Sequence, residues 1–240
     1  MATDFSSKST VHEIRERFDQ DVERFANLET GQLTTLDAPL TLELITDAAK
    51  YTNPAATTLL DIGCGAGNYT LKMLFKLPHL SCTLIDLSQP MLDRARERVA
   101  AETKGEVLTR QSDIREIELG AAQYDIVLAG AVLHHLREEQ EWEQVFRKIY
   151  KALKPGGSFW ISDLVVQELE AVTALFWNKY GAYLEQLGGA AFKEKVLAYI
   201  DKEDTPRSAT FQLELMKKVG FTKVEVLHKN LCFAAFGGVK

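Results

Sequence analysis

The segment "LLDIGCGAGNYT", residues 59–70, sets Gly63, Gly65 and Gly67 at every second position directly after a short apolar run. Residues 59–62 read as a buried strand, and the apolar positions after Tyr69 as a helix. Glycines at such a joint let the backbone approach a ligand closely, and a helix N-terminus offers it unpaired N–H groups. A dinucleotide loop needs Gly-x-Gly-x-x-Gly, so that a pyrophosphate can rest on that N-terminus. Gly63 and Gly65 fit this pattern, but Asn68 stands at its third position and Gly67 comes one residue early. The spacing therefore suits a ligand other than a pyrophosphate. The plainer alternative is a glycine turn that serves only helix–strand packing.

Ligands of open α/β sheets lie outside the carboxyl ends of the strands, so the residues ending each expected strand carry the next clue. The first strand delivers Asp61 and the glycines. The second, in "CTLIDLSQPML", ends at Asp86, 19 residues beyond Gly67, followed by Leu87 and Met91. A carboxylate there can accept both hydroxyls of a ribose, or it can simply favour a helix N-terminus. The third strand leads into "QSDIRE", where Asp113 can accept from an adenine amino group and Ile114 can pack on the ring. An Asx-turn would use Asp113 equally well. The fourth ends in "VLAGAVLHHL", where Ala129 and Gly130 leave room for the rest of the ligand. His134 and His135 follow, as weak candidates for proton transfer or as packing and capping residues.

These residues need elements to hold them. Strands are expected at 58–62, 81–86, 106–109, 124–129 and 156–163, with helices near 68–77, 89–103 and 138–152. That alternation is the mark of an α/β fold with a parallel sheet. Upstream, Val11, Ile14, Phe18, Val22 and Phe25 recur at helical spacing, and a second helix runs from Asp37 and Pro39 to about Tyr51. Residues 165–203 read as helical and carry Trp177, Tyr180 and Tyr183. A helix at 208–219 stops at Gly220, and strands at 221–229 and 230–238 reverse near Lys229–Asn230. Four units follow: an N-terminal helical lid (1–36), a ligand-binding core (37–164), a helical insert (165–207) and a completion of the core (208–240). Closed lids would set Phe18 and Phe25 opposite Trp177, Tyr180 and Tyr183, with Arg207 as a cationic edge. That pocket suits a small, partly apolar acceptor.

The chain has 240 residues, 46% hydrophobic and 26% charged, the balance of a globular protein able to bury a substantial core. A formal net charge of −6 argues against direct nucleic-acid binding. Cys64, Cys82 and Cys232 have no metal-ligand spacing, so no metal is expected and the thiols read as reduced. The polar start and the lack of a long apolar run point to a cytoplasmic protein without a membrane span.

The segments "LLDIGCGAG", "IDLSQPML", "QSDI", "YDIVLAGAVLHHL" and "LKPGGSFWISD", spread over residues 59–163, resemble the class I S-adenosylmethionine-dependent methyltransferases. The resemblance implies a Rossmann-like, seven-stranded, mostly parallel sheet with helices on both faces, and S-adenosylmethionine as cofactor. It implies Asp61, Gly63, Cys64, Gly65, Gly67, Asp86, Leu87, Met91, Asp113, Ile114 and Ala129 around that cofactor. "FDQDVERF" at 18–25 is similar to a lid element of such enzymes, with Phe25 where tyrosine is common. The tail, 218–240, and the aromatic insert are similar to a subgroup that includes carboxy-S-adenosylmethionine synthase. Ala129 stands where that subgroup has asparagine, and "FKEKVLAYI" offers Lys193 and Lys195 but no arginine. Methyl transfer to a small molecule is the leading expectation, with a homodimer allowed. The synthase, a nicotinamide-dependent dehydrogenase and a non-catalytic S-adenosylmethionine-binding module are the alternatives.

Overall fold

A computed structural model of the chain describes residues 5–27 and 31–240. Five strands run parallel: β1 (Thr58–Ile62), β2 (Ser81–Asp86), β3 (Val107–Gln111), β4 (Tyr124–Gly130) and β5 (Leu153–Leu164). Two more, β6 (Lys223–Asn230) and β7 (Phe233–Val239), form an antiparallel hairpin, and β7 slots beside β5 to give the order β3-β2-β1-β4-β5-β7-β6. The chain builds outward from β1 to β3, then crosses back to lay β4 on the other side of β1. Adjacent crossovers leave in opposite directions there, which opens a crevice at the carboxyl ends of β1 and β4. Register aligns those ends, with Ile62 level with both Ile85 and Ala129.

Helices cover both faces because alternate strand residues point to opposite sides. On one face α3 (Ala38–Thr52), α4 (Asn68–Lys76) and α5 (Gln89–Glu102) bury Ile45, Met73 and Leu92 against Leu59, Leu84 and Leu128. On the other, α6 (Glu139–Ala152) and α9 (Ala209–Val219) bury Trp142, Phe146 and Met216 against Leu60, Val127 and Phe236. The insert is a helix pair, α7 (Glu170–Gly188) and α8 (Ala190–Glu203), that packs through a smaller cluster around Leu164, Leu184 and Phe233. Among the described residues no helix is long and apolar enough to cross a membrane.

Three expectations are corrected. The first amphipathic segment is two helices, α1 (Val11–Gln20) and α2 (Val22–Ala26), because Asp21 leaves helical geometry at φ −110 and ψ 14 and its amide closes a tight turn onto Phe18. The final reversal lies after Asn230, where Leu231 takes a left-handed φ of 49, so register rather than polarity sets the turn. Trp177, Tyr180 and Tyr183 are not ranged against Phe18. Tyr180 is buried in the insert cluster, against Phe233, and its hydroxyl donates to the Thr34 carbonyl at 2.8 Å. The Tyr183 hydroxyl donates to the Leu33 carbonyl at 3.0 Å, and Trp177 packs edge-on to Tyr180. These rings pin the segment before α3 to the insert. Residues 1–4 and 28–30 of the expected N-terminal unit lie outside the described residues.

Tyr180→Phe keeps the ring and removes the bond to Thr34. It is expected to cost about 0.5–1.5 kcal/mol in urea unfolding and to speed amide exchange in residues 31–37.

Candidate active site

The loop between β1 and α4 turns on Gly63, Gly65 and Gly67, at φ 63, 50 and 85, a region that favours glycine. A Cβ at Gly63 would press to 2.5 Å from Val132, whereas one at Gly65 would stand in open space. The Asp86 carboxylate fixes this loop by accepting the Gly65 amide at 2.8 Å and the Ser88 amide at 2.9 Å. Ser88 in turn caps α5 by accepting the Met91 amide. Burial pushes the Asp86 pKa up, against the pull of those amides. Asp61 is a brace within the strand–helix joint. It is fully buried, accepts the Thr70 hydroxyl at 2.6 Å, and is raised by burial to about 7.

A narrow cleft of about 50 Å³ opens beside the loop, and Gly63, Asp86, Leu87, Asp113, Ile114 and His135 line it. Cys64, Gly65, Gly67, Met91, Ala129 and Phe25 are not in that lining. Met91 and Ala129 are buried in the walls, and the Cys64 thiol faces the Gly65 carbonyl. Phe25 meets the loop through its carbonyl, which accepts the side-chain Nδ2 of Asn68 at 2.8 Å. Asp113 is not a free acceptor. Arg115 donates to its two oxygens at 2.6 and 3.0 Å, and although burial opposes ionisation, that pairing brings the Asp113 pKa down. Sequence reasoning missed Arg115, because a neighbour two positions away looks like any solvated cation.

Beyond the cleft, the 3₁₀ turn Leu133–His135 lays the two histidines against each other, ring centroids 4.4 Å apart. Asp163, near the end of β5, receives both the backbone amide and Nδ1 of His134. Asp204, just after α8, lies 3.6 Å from His134 Nε2 and 3.4 Å from His135 Nδ1. Burial opposes a charged His134, but Asp163 and Asp204 outweigh it and lift its pKa to about 9. Burial and the cation at His134 hold His135 well below its usual value, so it is neutral. Asp163 was legible by the rule that selected the other strand ends; Asp204 carried no local signal.

The N-terminal helices close over this cluster. Phe18 meets His135 edge-on at 6.2 Å and Phe25 at 5.5 Å. Arg17 donates to both Glu203 oxygens, at 2.9 and 2.8 Å, and to the Tyr199 hydroxyl at 2.7 Å. Arg207 lies over the Phe211 ring at 5.3 Å, away from the aromatic set that it was expected to complete.

A methyltransferase-domain family model matches residues 60–159. Carboxy-S-adenosyl-L-methionine synthase of Nautilia profundicola is 25% identical over 180 residues, 74% of this chain and 75% of that protein. Malonyl-[acyl-carrier protein] O-methyltransferase of Priestia megaterium is 29% identical over 67% of this chain, which spans 58% of that enzyme's length. The fold is shared with human N-acetylserotonin methyltransferase, solved with its cofactor, at a TM-score of 0.62 and 14% identity. That match covers 98% of this chain and 63% of the human one. The dehydrogenase alternative finds no support in these similarities, in keeping with the early third glycine.

The His134 pKa is 6.5 in the unfolded chain and about 9 in the folded one, so its ion pairs contribute fully below pH 6.5 and are lost as pH rises through 9. Asp61 and Asp204, with raised folded pKa values, also favour the folded state at lower pH. Urea midpoints are therefore expected to fall from pH 6.5 to 9, and to fall less in His134→Gln. Equal slopes in the two proteins would remove the ion pairs from the account.

Proposed function

We propose that the chain is a class I S-adenosylmethionine-dependent methyltransferase that methylates a small acceptor whose nucleophile is set beside His135. One juxtaposition carries this reading: Gly63 of the glycine loop, Asp86 and a neutral His135 line a single cleft. The residues present fit the cofactor. The open space at Gly65 is a cradle that any side chain would fill, and Asp86 keeps lone pairs beyond its two amide bonds for ribose hydroxyls. Leu87 and Ile114 offer apolar surface to the adenine. Once bound, S-adenosylmethionine supplies an electrophilic methyl group on a sulfonium centre.

Positioning provides much of the acceleration in a displacement of this kind. An acceptor hydroxyl or ammonium must also lose a proton; His135 borders the cleft with its imidazole unprotonated at rest, and Asp204, 3.4 Å from its Nδ1, would stabilise the proton it receives. His134 serves as the positioning residue, held by Asp163 and supplying the neighbouring charge. The helices before α3 and the pair α7–α8 act as covers joined through Arg17 and Glu203, which exclude water from the displacement. The similarity to carboxy-S-adenosylmethionine synthases favours one second reading, in which the cofactor is itself remodelled. Ala129 is buried and apolar, and Lys193 is paired with Glu185 at 2.8 Å, so neither stands ready for a carboxylate.

S-Adenosylhomocysteine is expected to raise the melting temperature and slow amide exchange in α1, α2 and α8. Asp86→Ala should weaken its binding by roughly 2–4 kcal/mol, the loss of two charge-assisted hydrogen bonds. A screen of small acids, phenols and amines for homocysteine-product release should identify an acceptor. For an acceptor that must lose a proton, His135→Ala should then lower kcat by about 10²–10⁴ while sparing cofactor affinity. Turnover only with tRNA or protein would refute the small-acceptor reading, and a carboxylated cofactor in the mass spectrum of the purified protein would favour the second.

A further inference from the structure

We propose that His134, His135 and Asp204 form a binding site for a divalent transition-metal ion, with Asp163 orienting His134. One ligand atom from each of the three residues lies within 4.8 Å of the others. The Asp204 carboxylate oxygen stands 3.6 Å from His134 Nε2 and 3.4 Å from His135 Nδ1. These separations are too long for hydrogen bonds. These two edges are close to the ligand-to-ligand edges, about 3.3–3.4 Å, of a tetrahedral site with bonds of about 2.0–2.1 Å, and the two imidazole ligand atoms, within 4.8 Å of each other, would draw together on a bound ion.

A second observation points the same way. That Asp204 oxygen and the His135 Nδ1 facing it at 3.4 Å are both buried without a hydrogen-bond partner. Buried polar atoms are nearly always satisfied, so an orphaned carboxylate oxygen and an orphaned imidazole nitrogen set side by side call for a shared partner. The His134 ring has the orientation metal ligands use, its Nδ1 bonded to the Asp163 carboxylate, and a metal ion would take Nε2, 3.6 Å from Asp204, in exchange for its proton. The set is also held in advance. Thr205 donates its amide to the His134 carbonyl at 2.7 Å and its hydroxyl to the Leu136 carbonyl at 2.6 Å, tying the Asp204 segment to the histidine turn. Two carboxylates balance a divalent charge, and two imidazoles select zinc, cobalt or ferrous iron over magnesium or calcium.

Three protein ligands leave a fourth position, and His135 borders the cleft. An oxygen donor on the acceptor, a hydroxyl or carboxylate, would fill that position; this last step rests on the methyl-transfer reading, whereas the metal site does not. In the loaded protein the ion, rather than free His135, would polarise that oxygen.

The test uses the full chain after dialysis against a chelator, titrated with Co²⁺ alone and followed by visible absorption and calorimetry. One equivalent is expected to bind with the intense bands of four-coordinate cobalt, to be displaced by Zn²⁺ and to be indifferent to Mg²⁺. His135→Ala and Asp204→Asn should each weaken binding at least 100-fold and abolish the bands, and Asp163→Asn should weaken it about 10–100-fold. S-Adenosylhomocysteine binding, which depends on Asp86, checks that Asp204→Asn is folded. Absence of the bands in the wild-type protein, or their persistence in both ligand variants, would overturn the site. Cobalt binding without S-adenosylhomocysteine binding would instead overturn the methyl-transfer reading and leave the site standing.

Discussion

The bond from the Gly65 amide to the Asp86 carboxylate joins the turn after β1 to the end of β2, and the geometry of the cleft hangs on it. It needs two strands in parallel register, a backbone free to reach left-handed φ, and a carboxylate where the second strand stops. Each condition is weak alone, since parallel strands, glycine turns and acidic strand ends are common. Together they fix a concave backbone surface with a charged acceptor beside it, next to the crossing of the chain from β3 back to β4. Asp61 supports the same joint from beneath, tying the end of β1 to α4 through Thr70, so the loop is braced on both sides.

On the far side of the cleft the governing constraint is charge. Asp163 and Asp204 are buried, 3% and 5% exposed, and a buried carboxylate without a partner is strongly disfavoured. His134 answers both, which raises its affinity for a proton, and its cation in turn suppresses protonation of His135. Two adjacent residues of one type thus acquire opposite character. The division arises from the neighbours that β5 and the end of α8 bring to each ring.

The insert and the N-terminal helices depend on one another. Arg17 is stacked between Phe18 and Tyr199, 4.1 and 4.3 Å from their centroids, while its guanidinium grips Glu203 at two points. Glu203 directly precedes Asp204, so the contact that closes the N-terminal segment also sets the backbone carrying a carboxylate of the histidine cluster. The tyrosines of α7 stabilise this arrangement from behind through the carbonyls of Leu33 and Thr34.

Much of the core was legible in the sequence because the signals are local. Short apolar runs ended by glycine or acid located β1 and β2 to the residue, and Gly220 marked a helix stop. The glycine loop and Asp86 followed, since their spacing is fixed by one strand–turn–helix–strand unit. The remaining features were settled by tertiary packing. Nothing near Tyr180 or Tyr183 announced backbone partners some 150 residues away. His134 meets Asp163 across 29 positions and Asp204 across 70, distances at which hydrophobic periodicity carries no information about who meets whom. Sequence by itself determined which elements form and where the backbone can approach a ligand, because both follow from steric and hydrogen-bond preferences within a few residues. The protonation of the histidines and the use of the aromatic hydroxyls were decided only by the tertiary structure, because burial and electrostatic partners exist only once distant segments are brought together.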